Sequence, residues 1–297
     1  MPLRGIVVYN GFWNSRAVPD PVIRLVKAAE NKQVVLTPIA NTLLIAEMGK
    51  SVSVRGAEQA DFVLFWDKDI RLANALQQMG LPVWNRPAAI ALCDDKSATH
   101  LMLAGQGIPM PKTLVAPMTY TAVTPPIVHF LDESEKCLGY PMIVKECFGS
   151  LGGQVYMAEN REQLDALAYN MGAKPFLTQQ FVAAERGQDV RLYVIGGNVA
   201  AAIRRKSLTD FRANIGQGAT AESYTPTEEE CRLAIRCCSI LGLLFGGVDI
   251  LHDDHGDPLV CEVNSNAHMA GITQSTGVDI ASLILDEVLK EMKLHTV

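Results

Sequence analysis

Gly246-Gly247-Val248-Asp249-Ile250-Leu251 and, after a polar interruption, Val260-Cys261-Glu262-Val263-Asn264 are two short runs that want to be strands yet carry acids and an amide. Strand interiors favour apolar residues, so buried oxygen ligands at these positions need a reason. Side chains alternate along a strand, which puts Glu262 and Asn264 on one face and Cys261 and Val263 on the other. A turn centred on His255-Gly256 sets Asp249 opposite Glu262, so that the three groups converge; a bulge near Pro258 would shift that register. Carboxylate and amide oxygens without His or Cys suit a hard ion such as Mg2+. If the acids face phosphates, a cation is required, because two like charges at about 4 Å repel by about 4 kcal/mol at an effective dielectric near 20. The competing account pairs Asp249 and Glu262 with nearby Arg or Lys in a structural network.

Working outward, Asp189-Val190-Arg191 again places an acid and a cation on one strand face, with Arg205 on the following strand and Arg212 and Asn214 in the loop after it. Such a cluster beside apolar strands makes an anion-binding wall, since the planar guanidinium can hold two oxygens at once. Solvated surface charge is the ordinary alternative for any single arginine. Upstream, the run from Val144-Lys145 through Gly149-Ser150-Leu151-Gly152-Gly153 to Val155 reads as strand, glycine turn and returning strand. Its backbone N–H groups can lie along phosphate oxygens, although a plain hairpin turn has the same composition. It matches neither GxxxxGK[ST] nor GxGxxG.

The 297 residues suffice for two or three lobes around a cleft, and 48% hydrophobic with 20% charged residues is a globular balance. A net charge of -6 offers no broad positive surface for nucleic acid. The apolar run at 6–9 is too short for a signal sequence or a spanning helix, so no membrane partner and a cytoplasmic location are expected. Seven cysteines without a CxxC pair read as reduced, mainly buried thiols. Residues 5–85 alternate β-rich runs (6–9, 34–38, 62–66, 82–84) with helical stretches, as in an α/β layer with a largely parallel sheet. There Asp20 caps a helix with Pro21 in its first turn, and Gly80 ends another. A helix over 95–104 and an extended Gly107–Pro111 mark a lobe boundary. A small lobe with a helix capped by Asn160 follows to about 181. The last part carries strands at 189–195, 199–206, 245–252 and 258–263, a helix capped at Thr225-Pro226 with Glu228 at the box position, and a terminal helix over 280–292. His252 and His255 fall in an exposed hairpin turn, and His268 either faces substrate or is structural. The fold class is α/β and α+β, with two α+β lobes clasping something between them.

Asp95-Lys96, Val144-Lys145 with its glycine loop, Gln179-Gln180-Phe181-Val182, Asp189-x-Arg191, Arg205, Phe211-Arg212-x-Asn214, Asp249 and Glu262-x-Asn264 stand in the order seen in ATP-grasp ligases. The chain most resembles the RimK-like glutamate ligases. That resemblance implies an ATP-grasp fold: an α/β pre-grasp domain at 1–93, a small lobe with its linking helix at 94–181, and a C-terminal lobe with the metal site at 182–297. It implies ATP and Mg2+, with Mn2+ as a substitute. Lys96 and Lys145 would hold the phosphates under the loop of Gly149, Ser150 and Gly152. Gln180, Phe181 and Val182 would meet adenine and Asp189 the ribose, while Asp249, Glu262 and Asn264 bind the metal. Arg205 and Asn214 would steady the terminal phosphate or metal, and Arg191 or Arg212 would orient the carboxylate and intermediate; the three arginines are the catalytic candidates. The implied reaction is ADP-forming ligation of a carboxylate and an amine through an acyl phosphate, adding glutamate or another amino acid to a peptide or small molecule. A homodimer or homotetramer fits the same resemblance. Two departures stand out: Gln180 replaces the usual acid, and Ser265-Asn266-Ala267-His268 replaces a Pro-Gly turn near the substrate. A non-catalytic ATP-binding regulator is the alternative function.

Overall fold

Why the first strands are apolar throughout is explained by what covers them. In the computed structural model, which describes residues 2–12, 17–120, 127–149, 152–214 and 218–294, strands β1 (Leu3–Tyr9), β2 (Val34–Ala40), β5 (Phe62–Trp66) and β6 (Val83–Trp84) form a parallel sheet in the order β2-β1-β5-β6. Val7, Phe62 and Leu64 enter one hydrophobic core, and Ile6, Val8, Val63 and Phe65 enter the other. A sheet buried on both faces reads as a continuous apolar run. Helix α1 (Asp20–Glu30) covers one face and α2 (Ile70–Gln78) the other. The α1 expectation needs correction: Pro19 is the capping position, and Asp20 makes no capping bond but pairs with Arg24 at 2.7 Å. The hairpin β3 (Ile45–Met48) and β4 (Val52–Arg55) was not expected from the sequence.

Helices α3 (Pro87–Asp94) and α4 (Lys96–Ala104) connect this unit to the small lobe, and Asp95 caps α4 through the N–H groups of Ser97 and Ala98. The lobe is an antiparallel sheet in the order β7 (Thr113–Val115), β10 (Phe176–Gln180), β8 (Met142–Glu146), β9 (Val155–Ala158). Helices α5 (Val128–Leu138) and α6 (Arg161–Met171) pack on it, the latter capped by Asn160 as expected.

The remaining sheet is antiparallel, in the order β13 (Thr220–Ser223), β12 (Asn198–Lys206), β11 (Gln188–Ile195), β14 (Phe245–His252), β15 (Pro258–Asn264). One face packs on α7 (Glu228–Leu241); the other joins the core under α1, α8 (Ala270–Thr276) and α9 (Ile280–Leu294). The cap of α7 is Thr227 with Glu230, not Thr225 with Glu228. Both pairs have capping-box spacing. Strand β13 leads into Tyr224, whose N–H bonds Ala202 O and whose hydroxyl reaches Glu230, and this favours the later pair.

Asn85 clamps the first sheet to the last. It is fully buried; its Nδ2 donates to Phe245 O at 2.8 Å and Ser265 O at 2.9 Å, and its Oδ1 accepts from Leu244 N and Phe245 N. Beside it, Trp66 stacks on Phe245 with ring centroids 5.8 Å apart.

Candidate active site

The β14–β15 hairpin reaches the expected pairing by an unexpected route. Its turn is centred on His255, since His252 pairs with Pro258 and Ile250 with Val260. Continued without interruption, that register would set Asp249 against Cys261. A bulge between Asp249 and Ile250 shifts it, and Asp249 pairs with Glu262 and Gly247 with Asn264. A bulge places two residues against one and re-aims a side chain. Cys261 therefore does not face away, as simple alternation predicts; it lines the cleft together with Glu262, with Lys145 Nζ 3.7 Å from its Sγ. Gly247 is needed for close approach: a Cβ there would stand 2.6 Å from the Cβ of Ala267 and 3.6 Å from Arg191 Cδ.

Asp249, 3% exposed, receives Arg191 at both oxygens, 2.6 and 2.7 Å, and Arg205 at 2.9 Å. Arg205 in turn grips Asp189 at 2.6 and 2.5 Å. Burial penalises the Asp249 anion, but the two arginines outweigh it and keep its pKa below the ordinary value. For Asp189, burial wins and raises the pKa against the pull of Arg205. The expected open wall of cations is thus a closed chain of ion pairs. Arg212 lies apart from it: its Nη1 donates to Gly152 O at 2.6 Å and Val155 O at 3.2 Å, tying the glycine loop to the large lobe, while Asp210 holds its other nitrogens.

Across the cleft, Lys96 and Lys145 are buried. Lys96 Nζ reaches Gly149 O at 3.1 Å and Glu262 at 3.6 Å. Within reach of both charges is the buried His100, which the sequence analysis did not single out. Burial first, then Lys145, pushes its pKa down to about 4, so it is neutral beside the two ammonium groups. Its signal is its spacing, four residues after Lys96 and hence on the same helical face. At the other end, Gln180 donates its N–H to Lys112 O and accepts from Lys112 N through its side chain. Phe181, Val182 and Asn214 line the cleft; Ser150 lies outside the described residues. His252 corrects another expectation, being held half-buried between Glu185 (2.8 Å) and Glu230 (2.9 Å), while His255 is exposed in the turn.

The catalytic and metal candidates all line one cavity of about 780 Å³, together with Lys96, Lys145, Gln180, Phe181 and Val182. Residues 93–288 match the RimK-like ATP-grasp domain family. The chain belongs to the RimK-like ATP-grasp family. It is 35% identical over 223 residues to a probable alpha-L-glutamate ligase of Maridesulfovibrio salexigens, covering 74% of this chain and 71% of that one. It is 34% identical over 226 residues to beta-citrylglutamate synthase B of Danio rerio, covering 75% of this chain and 54% of the synthase. The chain thus spans about half the length of that curated synthase. A RimK domain ATP-grasp protein from Sphaerobacter thermophilus superposes with a TM-score of 0.75 at 23% identity, covering 95% of this chain and 98% of that one, a likeness of fold. The ATP-grasp fold and the ligase character expected from the motif order stand.

For a RimK-like protein the cation site can be tested on the residues themselves. Among the described residues, no three His, Cys, Asp or Glu side chains gather closely enough to hold a metal alone. Mg2+ prefers few protein ligands and takes substrate phosphates for the rest. Glu262 keeps its side chain 32% exposed and open to a cation, while the buried Nδ2 of Asn264, without a hydrogen-bond partner among the described residues, is a donor that calls for an acceptor such as a phosphate oxygen and leaves the amide's Oδ1 as the atom that would meet a cation. The donor chemistry fits a hard cation, provided Asp249 exchanges an arginine contact for it. Beyond Asn264 the cleft is lined by Asn266 and His268 from β15's continuation and by Asn10, Trp66 and Asp67 from the first sheet. Desolvation and Arg191 hold the His268 imidazole below its ordinary pKa. No helix among the described residues is long and apolar enough to cross a membrane.

Proposed function

We propose that this chain joins the carboxylate of a small acid or peptide to the amine of an amino acid, with ATP activating the carboxylate as an acyl phosphate. The observation that carries the reading is the placement of Asp249 opposite Glu262, with Asn264 two residues on, facing buried Lys96 and Lys145 across one cleft. Glu262 and Asn264, with Asp249, would hold Mg2+, whose role is to neutralise phosphate charge as the terminal phosphoryl group moves. Lys96 and Lys145 would bind the phosphates, with Gly149 and Gly152 in the loop over them. Gln180, Phe181 and Val182 would border adenine, and Asp189 the ribose. Arg191, whose charge is felt by His268, would orient the carboxylate, with Arg205 fixing the acids behind it and Arg212 fixing the loop. Residues 1–93, 94–181 and 182–297 would act as pre-grasp, lid and base, the lid excluding water from the acyl phosphate.

Glutamate is the first amine to test. In a citrylglutamate the citryl part has no nitrogen, so glutamate must supply it. A regulator without activity is disfavoured because the metal ligands and Arg191, Arg205 and Arg212 are all present. Purified protein would be incubated with ATP, Mg2+, L-glutamate and a panel of acids including citrate, N-acetyl-L-aspartate and short peptides, with and without hydroxylamine. Acid-dependent ADP release, a hydroxamate with the trap and a ligated mass without it are expected. Tight ATP binding with no acid-dependent ADP release across the panel would count against the reading.

A further inference from the structure

The cleft continues past the cation ligands to the first sheet, and the topology of that sheet marks the place. In the order β2-β1-β5-β6 the chain leaves β1 to one side for β2 and leaves β5 to the other side for β6, so the crevice between the carboxyl ends of β1 and β5 is a switch point, where α/β sheets bind ligands. Asn10 and Asp67 are the residues just beyond those two ends. Asp67 is 7% exposed, and its Oδ1 accepts from Asn10 Nδ2 at 3.1 Å and from Lys68 N at 2.7 Å. Those bonds fix the carboxylate and leave Oδ2 without a partner among the described residues. Asn266 comes from the opposite wall, two residues beyond Asn264; its Nδ2 donates to Asp67 O at 3.1 Å, and its buried Oδ1 likewise has no partner among the described residues. Lys68, the adjacent cation, is engaged by Asp94.

We propose that Asp67 and Asn266 form the amine subsite, offering the substrate's primary ammonium group the free Oδ2 of Asp67 and the free Oδ1 of Asn266. This rests on the ligase reading above. The chemistry is selective by sign: two orphaned acceptors and a buried anion without a counter-cation call for a cationic donor and reject a carboxylate. Burial raises the Asp67 pKa, with the hydrogen bonds from Lys68 N and Asn10 opposing, as expected of an anion in want of a partner. Trp66, Tyr9, Pro21 and Ala267 supply apolar walls for the carbon skeleton. The ammonium passes one proton to Asp67. Its nitrogen then attacks the acyl carbon; the C–N bond forms as the carbon–oxygen bond to phosphate breaks, phosphate leaves with the electron pair, and it takes the second proton.

The test is a partition experiment. With MgATP and an accepted acid, L-glutamate and hydroxylamine compete for the acyl phosphate, and hydroxylamine is a neutral nucleophile needing no anionic anchor. Asp67→Asn should lower the ratio of amide to hydroxamate roughly tenfold or more and raise KM for L-glutamate, as loss of a buried charge contact does. Asn266→Ala, measured in the same way, should lower the ratio in the same direction and serves if Asp67→Asn melts early. An unchanged ratio in both variants, or equal loss of both products, overturns the subsite. Wild-type protein that makes neither product removes the ligase reading instead, and calorimetry with L-glutamate, glycine and glycylglycine then decides. Binding to wild type that Asp67→Asn abolishes keeps the subsite; no binding, or equal binding by both, overturns it.

Discussion

His100 makes the stability of the fold pH-sensitive in a direction that can be worked out. It is 6% exposed on α4, and burial, then Lys145, then Lys96 disfavour its protonated form, while the carbonyl of Cys261 opposes them only in part. Its pKa falls from 6.5 to about 4. Each tenfold change in proton affinity is about 1.4 kcal/mol, so the native state would lose about 3 kcal/mol if the unfolded chain alone took up that proton. The pKa is depressed in the folded state, so above pH 6.5 the residue is neutral in both states and contributes nothing to the pH dependence. As pH falls from 6.5 towards 4 the unfolded chain binds a proton that the native protein refuses, and stability is lost; below about 4 the loss is complete. His100→Gln removes that titration and leaves the carboxylates to titrate as before. Urea melts of both proteins at pH 7.5 and pH 4 should show the variant gaining about 3 kcal/mol on wild type between the two conditions. A difference between them that is the same at both pH values would refute the argument.

Other perturbations separate structural from chemical roles. Glu262→Gln should abolish acid-dependent ADP release while leaving the urea midpoint unchanged; retained turnover would remove Glu262 from the cation site. Arg212→Ala frees the glycine loop from bonds of 2.6 and 3.2 Å, so KM for ATP should rise about tenfold with a smaller change in kcat. If steady-state kinetics instead show kcat falling and KM constant, Arg212 acts on the reacting groups. Asn85→Ala leaves Leu244 N, Phe245 O and Ser265 O short of their partner and should cost about 3 kcal/mol, read by urea denaturation. A loss under about 1 kcal/mol would mean that water replaces the amide.

Much of this fold was legible because its signals are local or periodic. Runs such as Phe62–Trp66 are apolar without interruption, which a doubly covered parallel strand requires, and Asp95 and Asn160 sit at caps that their side chains serve. The hairpin β3–β4 was missed because Ile45 and Met48 are exposed and its pattern does not alternate cleanly. The α7 cap was misplaced by two residues because Thr225 and Thr227 both satisfy the same spacing; only the tertiary contact of Tyr224 with Glu230 separates them. The site was legible as an ordered set of polar residues, but its partners were not. Asp67 and Asn266 reach the cleft from segments far apart in sequence, and Asn85 bonds residues 160 and 180 positions away. No local pattern encodes such pairings.

The bulge at Cys261 shows why the two accounts of the buried acids were never exclusive. A carboxylate inside a strand must be satisfied when no ligand is bound, or the strand pays for an unpaired charge. Asp249 meets that demand through two contacts from Arg191 and one from Arg205, so removing either arginine leaves the buried carboxylate with the other alone. Glu262, set opposite by the register shift, stands at the cleft surface with, among the described residues, only Lys96 as an ion-pair partner, at 3.6 Å, so water can satisfy it. The ungapped register would have put a thiol opposite Asp249 and displaced Glu262 along the strand. One extra residue thus sorts the acids into a held member and an exposed one and sets Asn264 against Gly247, and two residues further on Asn266 bonds Asp67 of the first sheet, whose Oδ2 has no partner among the described residues.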